Sequence, residues 1–324
     1  MGRFTMKTGR QTTLRSDVTV SGIGVHSGVP ATLTLHPADP GTGIVFFRPG
    51  EDGKPDREIR AGVGAVVATE LATVIGDASG ALCSTAEHLL AALSGLGVDN
   101  VVVEVDGPEV PIMDGSAAEF VEAIDKVGLV ATAAPRRFVK VLEPIRVANG
   151  RAFGELLPAD RGMRFEIAIA FDNPLIGRQE LAFDLEPDTF RRELARARTF
   201  GFMSDVAKLW SAGYALGASF ENTVVVADNR ILNPDGLRFA DEFVRHKALD
   251  AVGDLSLAGA PLIGVYRSTC GGHKLNHAVI SALMANRSAW TLVDAVPAAA
   301  RKPARGHAEL TAGVAAPAFG PDVS

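Results

Sequence analysis

The chain has 324 residues, 47% of them apolar, and a formal net charge of −6. That length accommodates two domains with sizeable cores, and the composition excludes global disorder. The acidic balance argues against a general nucleic-acid binder, which needs clustered cations to neutralise phosphates.

The opening "MGRFTMKTGRQTTLRSDV" has no apolar signal-peptide region, and no run nears the roughly 20 apolar residues of a membrane span. The only cysteines, Cys83 and Cys270, form no CxxC pair, so a disulfide framework or thiolate zinc site is not expected. A soluble cytoplasmic protein without stable membrane insertion is the expectation.

Next along the chain, "PATLTLHP" and "GIVFFRP" read as strands joined by the turn "LHPADPG" at 35–41. The same order returns at 156–162, where "LLPADRG" joins "RAFGELLP" to "MRFEIAIAF". Pro-Ala-Asp-x-Gly supplies turn chemistry in both places. Residues 85–105 then predict an apolar helix, a glycine-rich turn and a valine-rich strand, an order that recurs over 244–268. Later helices are predicted at 116–128 and 273–285. The fold expected is α+β: a two-domain sandwich from a duplicated unit of one sheet plus two helices, the helices packed between the sheets, with a small β-α-β-type insert in each half. The seam falls near "ATAAPRR", giving a first repeat over 1–133 and a second over 134–296. The Ala/Pro/Gly-rich tail over 297–324 is expected to be disordered. The second half carries extra residues ahead of its first helix, and the apolar, aromatic stretch 197–226 accounts for much of that insertion.

Within "STAEHLLAAL", Glu87 and His88 are adjacent. Ser84-x-x-Glu87 matches a capping box, which accounts for Glu87 without any chemistry. His88 in an apolar helix reads equally as a satisfied core residue. "ARTFGF" adds Thr199, a hydroxyl beside Phe200 and Phe202. In "EFVRHKALDAVGDL", His246, Asp250 and Asp254 recur every four residues, within roughly 80° of one another on a helix. Val244, Ala248, Ala251, Val252 and Leu255 form a separate apolar stripe. The polar line is either a solvated face or a metal face, since His and Asp at i, i+4 aim donors at one spot. Under the duplication, His88 and His246 begin equivalent helices. If the repeats pack face to face, His88, His246 and Asp250 would make an N,N,O set that zinc accepts with a fourth position open. His273 follows a Gly-Gly turn in "STCGGHKLNH" and becomes chemically interesting if Asp254 holds it charged. Glu87 as base and His273 as acid would then pair.

"STAEHLLAALSGLGVDN", "PIMDGSA", "ARTFGFM", "LNPDGLRFADEFVRHKALDAVGDL" and "GGHKLN" together resemble the UDP-3-O-acyl-N-acetylglucosamine deacetylases, zinc enzymes of lipid A synthesis in Gram-negative bacteria. The likeness runs from about Gln11 to Asp294. It implies that His88, His246 and Asp250 bind Zn2+, that Glu87 is general base, and that His273 acts on the oxyanion or leaving amine with Asp254 behind it. It further implies that Thr199 helps hold the oxyanion, that Lys247 contacts the nucleotide sugar, and that Phe171 stacks on uracil. Phe200 and Phe202 resemble the hydrophobic passage for the acyl chain. A diphosphate-binding lysine of the family falls at or beside Arg151, where the match needs a gap. In 67–75, Glu70 and Ala72 replace larger apolar or sulfur-containing residues. The implied partner is a small UDP-linked acylated amino sugar, turned over by a monomer. The rival readings are another zinc amidohydrolase or sugar deacetylase, a non-catalytic binding protein, and a structural metal site.

Overall fold

The computed structural model describes residues 9–50 and 55–295; the tail expected to be disordered lies outside the described residues. The first half runs β1 (Arg10–Leu14), β2 (Val18–Ile23), β3 (Pro30–Pro37), β4 (Ile44–Arg48), β5 (Arg57–Arg60), β6 (Val66–Ala68), β7 (Val74–Asp77), β8 (Gly80–Cys83), α1 (Glu87–Leu96), β9 (Val101–Val105), α2 (Ala118–Val127) and β10 (Leu129–Pro135). The second runs β11 (Arg137–Val141), β12 (Ile145–Asn149), β13 (Ala152–Leu157), β14 (Met163–Ala170), β15 (Arg178–Asp184), α3 (Pro187–Thr189), β16 (Phe200–Phe202), α4 (Val206–Ser211), β17 (Val224–Val226), α5 (Glu242–Leu255), β18 (Leu262–Thr269), α6 (His273–Ala285) and β19 (Trp290–Asp294).

Alternation sets the inward faces. Ala31, Leu33 and Leu35 of β3, and Val101, Val103 and Val105 of β9, are buried at every second position. Met163, Phe165, Ile167 and Ile169 of β14 do the same in the second half. The sheets share one plan. In the first, the order is β2-β3-β9-β4-β5, with β9 antiparallel to β3 and parallel to β4. In the second, β12-β13-β18-β14-β15 repeats that order and those senses, and β11 with β19 extends it. The duplication expected from the turn motifs is thus present as topology. The two Pro-Ala-Asp-x-Gly turns do not close hairpins. Each carries the chain past a slot that a later strand, β9 or β18, fills.

The inserts differ from each other. The second is β-α-β as expected, β16 and β17 pairing parallel on either side of α4. The first is not: β6, β7 and β8 make a three-stranded antiparallel sheet with no α-helix. A tight turn, with Gly80 at positive φ and Asp77 accepting the Ser79 N–H, leaves no room for one between β7 and β8.

α1 and α5 are buried on nearly all sides, as helices inside a molecule are. One core takes in Leu33 and Val103 of the first sheet, Phe165 and Tyr266 of the second, and both helices. The two helices touch at Gly253, where a Cβ would overlap the carbonyl oxygen of Glu87. Overpacking of this kind costs about 1–3 kcal/mol, and here it also displaces Glu87. Gly253→Ala is therefore expected to lower the urea midpoint and to shift the Glu87 backbone. An unchanged midpoint would show that the helices have slack at this crossing.

Candidate metal centre

His88 comes from the first turn of α1, and His246 and Asp250 from one face of α5. All three are buried. The imidazoles meet edge to face, ring centroids 4.9 Å apart. His246 Nδ1 donates to the Ala197 carbonyl at 3.0 Å, which leaves its Nε2 as a lone pair. That Nε2 lies 3.4 Å from Asp250 Oδ1, and His88 Nε2 lies 3.6 Å from the same oxygen. Donors each about 2.0–2.1 Å from a tetrahedral zinc ion are roughly 3.4 Å apart, so these spacings suit one ion.

The protonation states fit as well. Burial drives the His246 imidazole down to about 3, against the opposing pull of Asp250, so it is neutral and able to ligate. Burial alone would raise Asp250, but His246 and Lys247 hold it well below the ordinary carboxylate range. Its Oδ2 accepts from Lys247 Nζ at 2.9 Å. Its Oδ1 is buried and has no hydrogen-bond partner among the described residues. An orphaned carboxylate oxygen facing two imidazoles is costly unless something cationic completes it. His88, His246 and Asp250 are also the only described residues that gather three possible ligand atoms within 4.8 Å.

Two further groups flank the cluster. Glu87 shows no capping box: the Ser84 backbone bonds to Pro108 and Val110, and the helix begins after Ala86 without a side-chain cap. Glu87 Oε2 instead accepts the Thr73 N–H at 2.9 Å, and its Oε1 stands 3.8 Å from His273 Nε2. Burial raises Glu87 above its ordinary range, opposed by His273 and His88. His273 begins α6, as expected, and its Nδ1 donates to Asp254 Oδ2 at 2.9 Å. Burial would lower it, but Asp254 and then Glu87 outweigh that and lift it to about 10. Asp254 and Glu87 thus favour the cationic form of His273.

Thr199 lies two residues beyond Ala197, its backbone fixed to Gly115 and Val224. The loop is anchored by a buried ion pair in which Arg198 Nε donates to Glu242 Oε1 at 2.9 Å. Phe200 packs edge to face on Phe243 and Phe171, and Phe202 is tilted against Phe171 at 5.9 Å. Phe171 thus belongs to one aromatic group with Phe200 and Phe202. Lys247, which reads as a surface residue on periodicity, folds back onto Asp250 with its ammonium 5.5 Å over the Phe200 ring. Arg151 is exposed in the β12–β13 turn, at the end of the sheet from which the chain leads to His273. No described contact brings it to the cluster.

Several residues escape sequence reasoning. Thr73 and Asn276 both donate to Asp254, and the Ala197 carbonyl orients His246. Glu109 is buried and accepts from the His26 and Ser27 backbones and the Thr85 hydroxyl, fastening the approach to α1. His26 presents a buried Nδ1 without a partner among the described residues. Of these, only Asn276 carried a signal: it stands one helical turn after His273.

Fold and site together define an α+β protein with a candidate two-histidine, one-carboxylate metal centre beside a carboxylate–imidazole pair, the equipment of a metallohydrolase. Residues 11–285 match the family of LpxC, UDP-3-O-acyl N-acetylglycosamine deacetylase. UDP-3-O-acyl-N-acetylglucosamine deacetylases of Brucella ovis and Brucella canis are 53% identical over 286 residues, covering 88% of this chain and 99% of theirs. That of Brucella melitensis biotype 2 matches to the same extent. The chain belongs to the UDP-3-O-acyl-N-acetylglucosamine deacetylase family.

Proposed function

We propose that this chain is a zinc-dependent amidohydrolase that removes acetate from the 2-acetamido group of UDP-3-O-(3-hydroxyacyl)-N-acetylglucosamine, in lipid A biosynthesis. The observation that carries this reading is the orphaned Asp250 Oδ1 facing two imidazoles beside the Glu87–His273 pair, in a chain of this family. Glu87 and His88 come from the first repeat, 1–133, and the remaining groups from the second, 134–296. The reaction therefore takes place on the seam. His88, His246 and Asp250 would hold the zinc ion, and when bound it would supply Lewis acidity that lowers the pKa of water toward about 7 and polarises the amide carbonyl.

The side chains do the rest. Glu87, deprotonated, takes a proton from the attacking water on Oε1, the oxygen that Thr73 leaves free. Cationic His273 and the Thr199 hydroxyl stabilise the oxyanion. His273 delivers the Nε2 proton to the departing amine, and Asp254 keeps the imidazole oriented. Lys247 presents positive charge to the nucleotide sugar, with Arg151 further out toward the diphosphate. Phe200 and Phe202 receive the acyl chain, and Phe171 beside them receives uracil. The enzyme works in the cytoplasm as a monomer; no described helix is long and apolar enough to cross a membrane.

The test is acetate release from the UDP-linked acylated sugar. Chelation is expected to abolish it and added zinc to restore it, while helix content persists because α1 and α5 are held by apolar packing. A substrate without the acyl chain should lose about tenfold or more in kcat/KM, since each buried CH2 is worth about 0.8 kcal/mol. Equal turnover of free N-acetylglucosamine would assign the chain to another sugar deacetylase.

A further inference from the structure

We infer that Thr73 is a positioning residue that ties the base side of the site to the acid side. Thr73 is in the first insert, in the connection between β6 and β7, and is almost completely buried. Its N–H donates to Glu87 Oε2 at 2.9 Å, and its hydroxyl donates to Asp254 Oδ1 at 2.6 Å. Its carbonyl accepts the Ala86 N–H, one residue before α1. One short side chain and its peptide therefore hold a group 14 residues away and another 181 residues away. The connection is shaped for this: Leu71, two residues earlier, takes a positive φ of 64°, a conformation that a branched aliphatic residue adopts only when its surroundings demand it.

The hydroxyl completes a fully donated carboxylate. Asp254 is buried, and its Oδ2 receives the His273 Nδ1–H and, at 2.8 Å, the Asn276 amide. Tyr266 donates to the other end of that amide at 2.6 Å, which fixes its orientation. Oδ1 has only Thr73 among the described residues. With both oxygens pinned, Asp254 cannot rotate, and His273 Nε2 stays aimed at the space in front of Glu87. Thr73 touches neither substrate nor metal in this scheme; it acts through the groups it holds.

The inference rests on Glu87 and His273 being the reacting pair, and the experiment separates the two ideas. Thr73→Val keeps the shape and the N–H and removes only the hydroxyl; Thr73→Ser returns it. Losing a hydrogen bond to a buried charged acceptor predicts a kcat about tenfold to a hundredfold lower for Thr73→Val, with KM within about twofold and zinc content unchanged. The His273 Nδ1–H proton resonance, identified by its disappearance in His273→Ala, should move in Thr73→Val and return in Thr73→Ser along with the rate. A wild-type kcat, a loss carried by KM or by metal, an unmoved resonance, or a serine variant no better than valine would each overturn the inference. If Glu87→Gln and His273→Ala keep wild-type rates, the proposed mechanism fails instead. If they lose activity and Thr73→Val does not, only the role of Thr73 fails.

Discussion

Asp250→Ala protein is expected to carry less than about a tenth of an equivalent of zinc after purification and to release no measurable acetate. Zinc sites with four protein ligands hold the ion by about 10–16 kcal/mol, so one ligand is worth roughly 3 kcal/mol, more than a hundredfold in affinity. The loss here should be at least that, because Asp250 is the only anionic member of the set and both imidazole Nε2 atoms converge on its Oδ1. It also strips Lys247 of its carboxylate and leaves a half-buried ammonium facing the site. His88→Ala and His246→Ala should lose metal comparably. Zinc content by atomic absorption, with refolding checked by circular dichroism, decides the matter. Full zinc occupancy in a folded Asp250→Ala protein would place the metal elsewhere.

The contrast among these residues shows what periodicity can reveal. His246 and Asp250 share one helix at i, i+4, so their common face is written into five consecutive residues. His88 carries no such mark; the repeat of "LHPADPG" as "LLPADRG" and the recurring helix–turn–strand order pair its helix with α5 only if the repeats pack face to face. That repeat also anticipated the shared strand order, because a duplicated unit buries the same alternating faces. It did not reveal that the turns flank an empty slot, since the strands that fill it arrive some 60 to 100 residues later. Lys247 reads as exposed because a helical stripe gives the direction of a Cβ, while a long side chain can reach three residues on to Asp250. Thr73 and the Ala197 carbonyl were invisible for a different reason. Thr73 acts through hydrogen bonds to Glu87, Asp254 and Ala86, and the Ala197 carbonyl through one to His246, and neither residue type announces such bonds. The first insert is three-stranded rather than β-α-β because residues 66–83 hold no run comparable to "VAKLWS", which forms α4 in the second.

His273→Ala should behave in the opposite way to the ligand variants: it keeps about one equivalent of zinc and loses about 10²–10⁴ in kcat, the usual worth of a positioned acid. Its Nε2 is 4.0 Å from Asp250 Oδ2 and it is not one of the three residues that share a ligand point. The pH profile carries the sign of each role. In the proposed mechanism Glu87 works only when deprotonated, and burial raises it, so the acid limb of kcat/KM should lie above the ordinary 4.5. In the same mechanism His273 works only when protonated, and Asp254 and Glu87 lift it to about 10 against burial, so activity should persist into alkaline pH and fall beyond it. A dication bound beside both groups favours their deprotonated forms, so loading the metal moves both limbs toward lower pH. Because Glu87 Oε1 and His273 Nε2 are 3.8 Å apart, the two limbs belong to the pair rather than to either residue. Removing the imidazole should therefore do two things at once: abolish the alkaline limb, and shift the acid limb upward, because Glu87 loses the cation that favours its charged form. An acid limb that stays in place in His273→Ala would mean that the two groups do not share the reaction space.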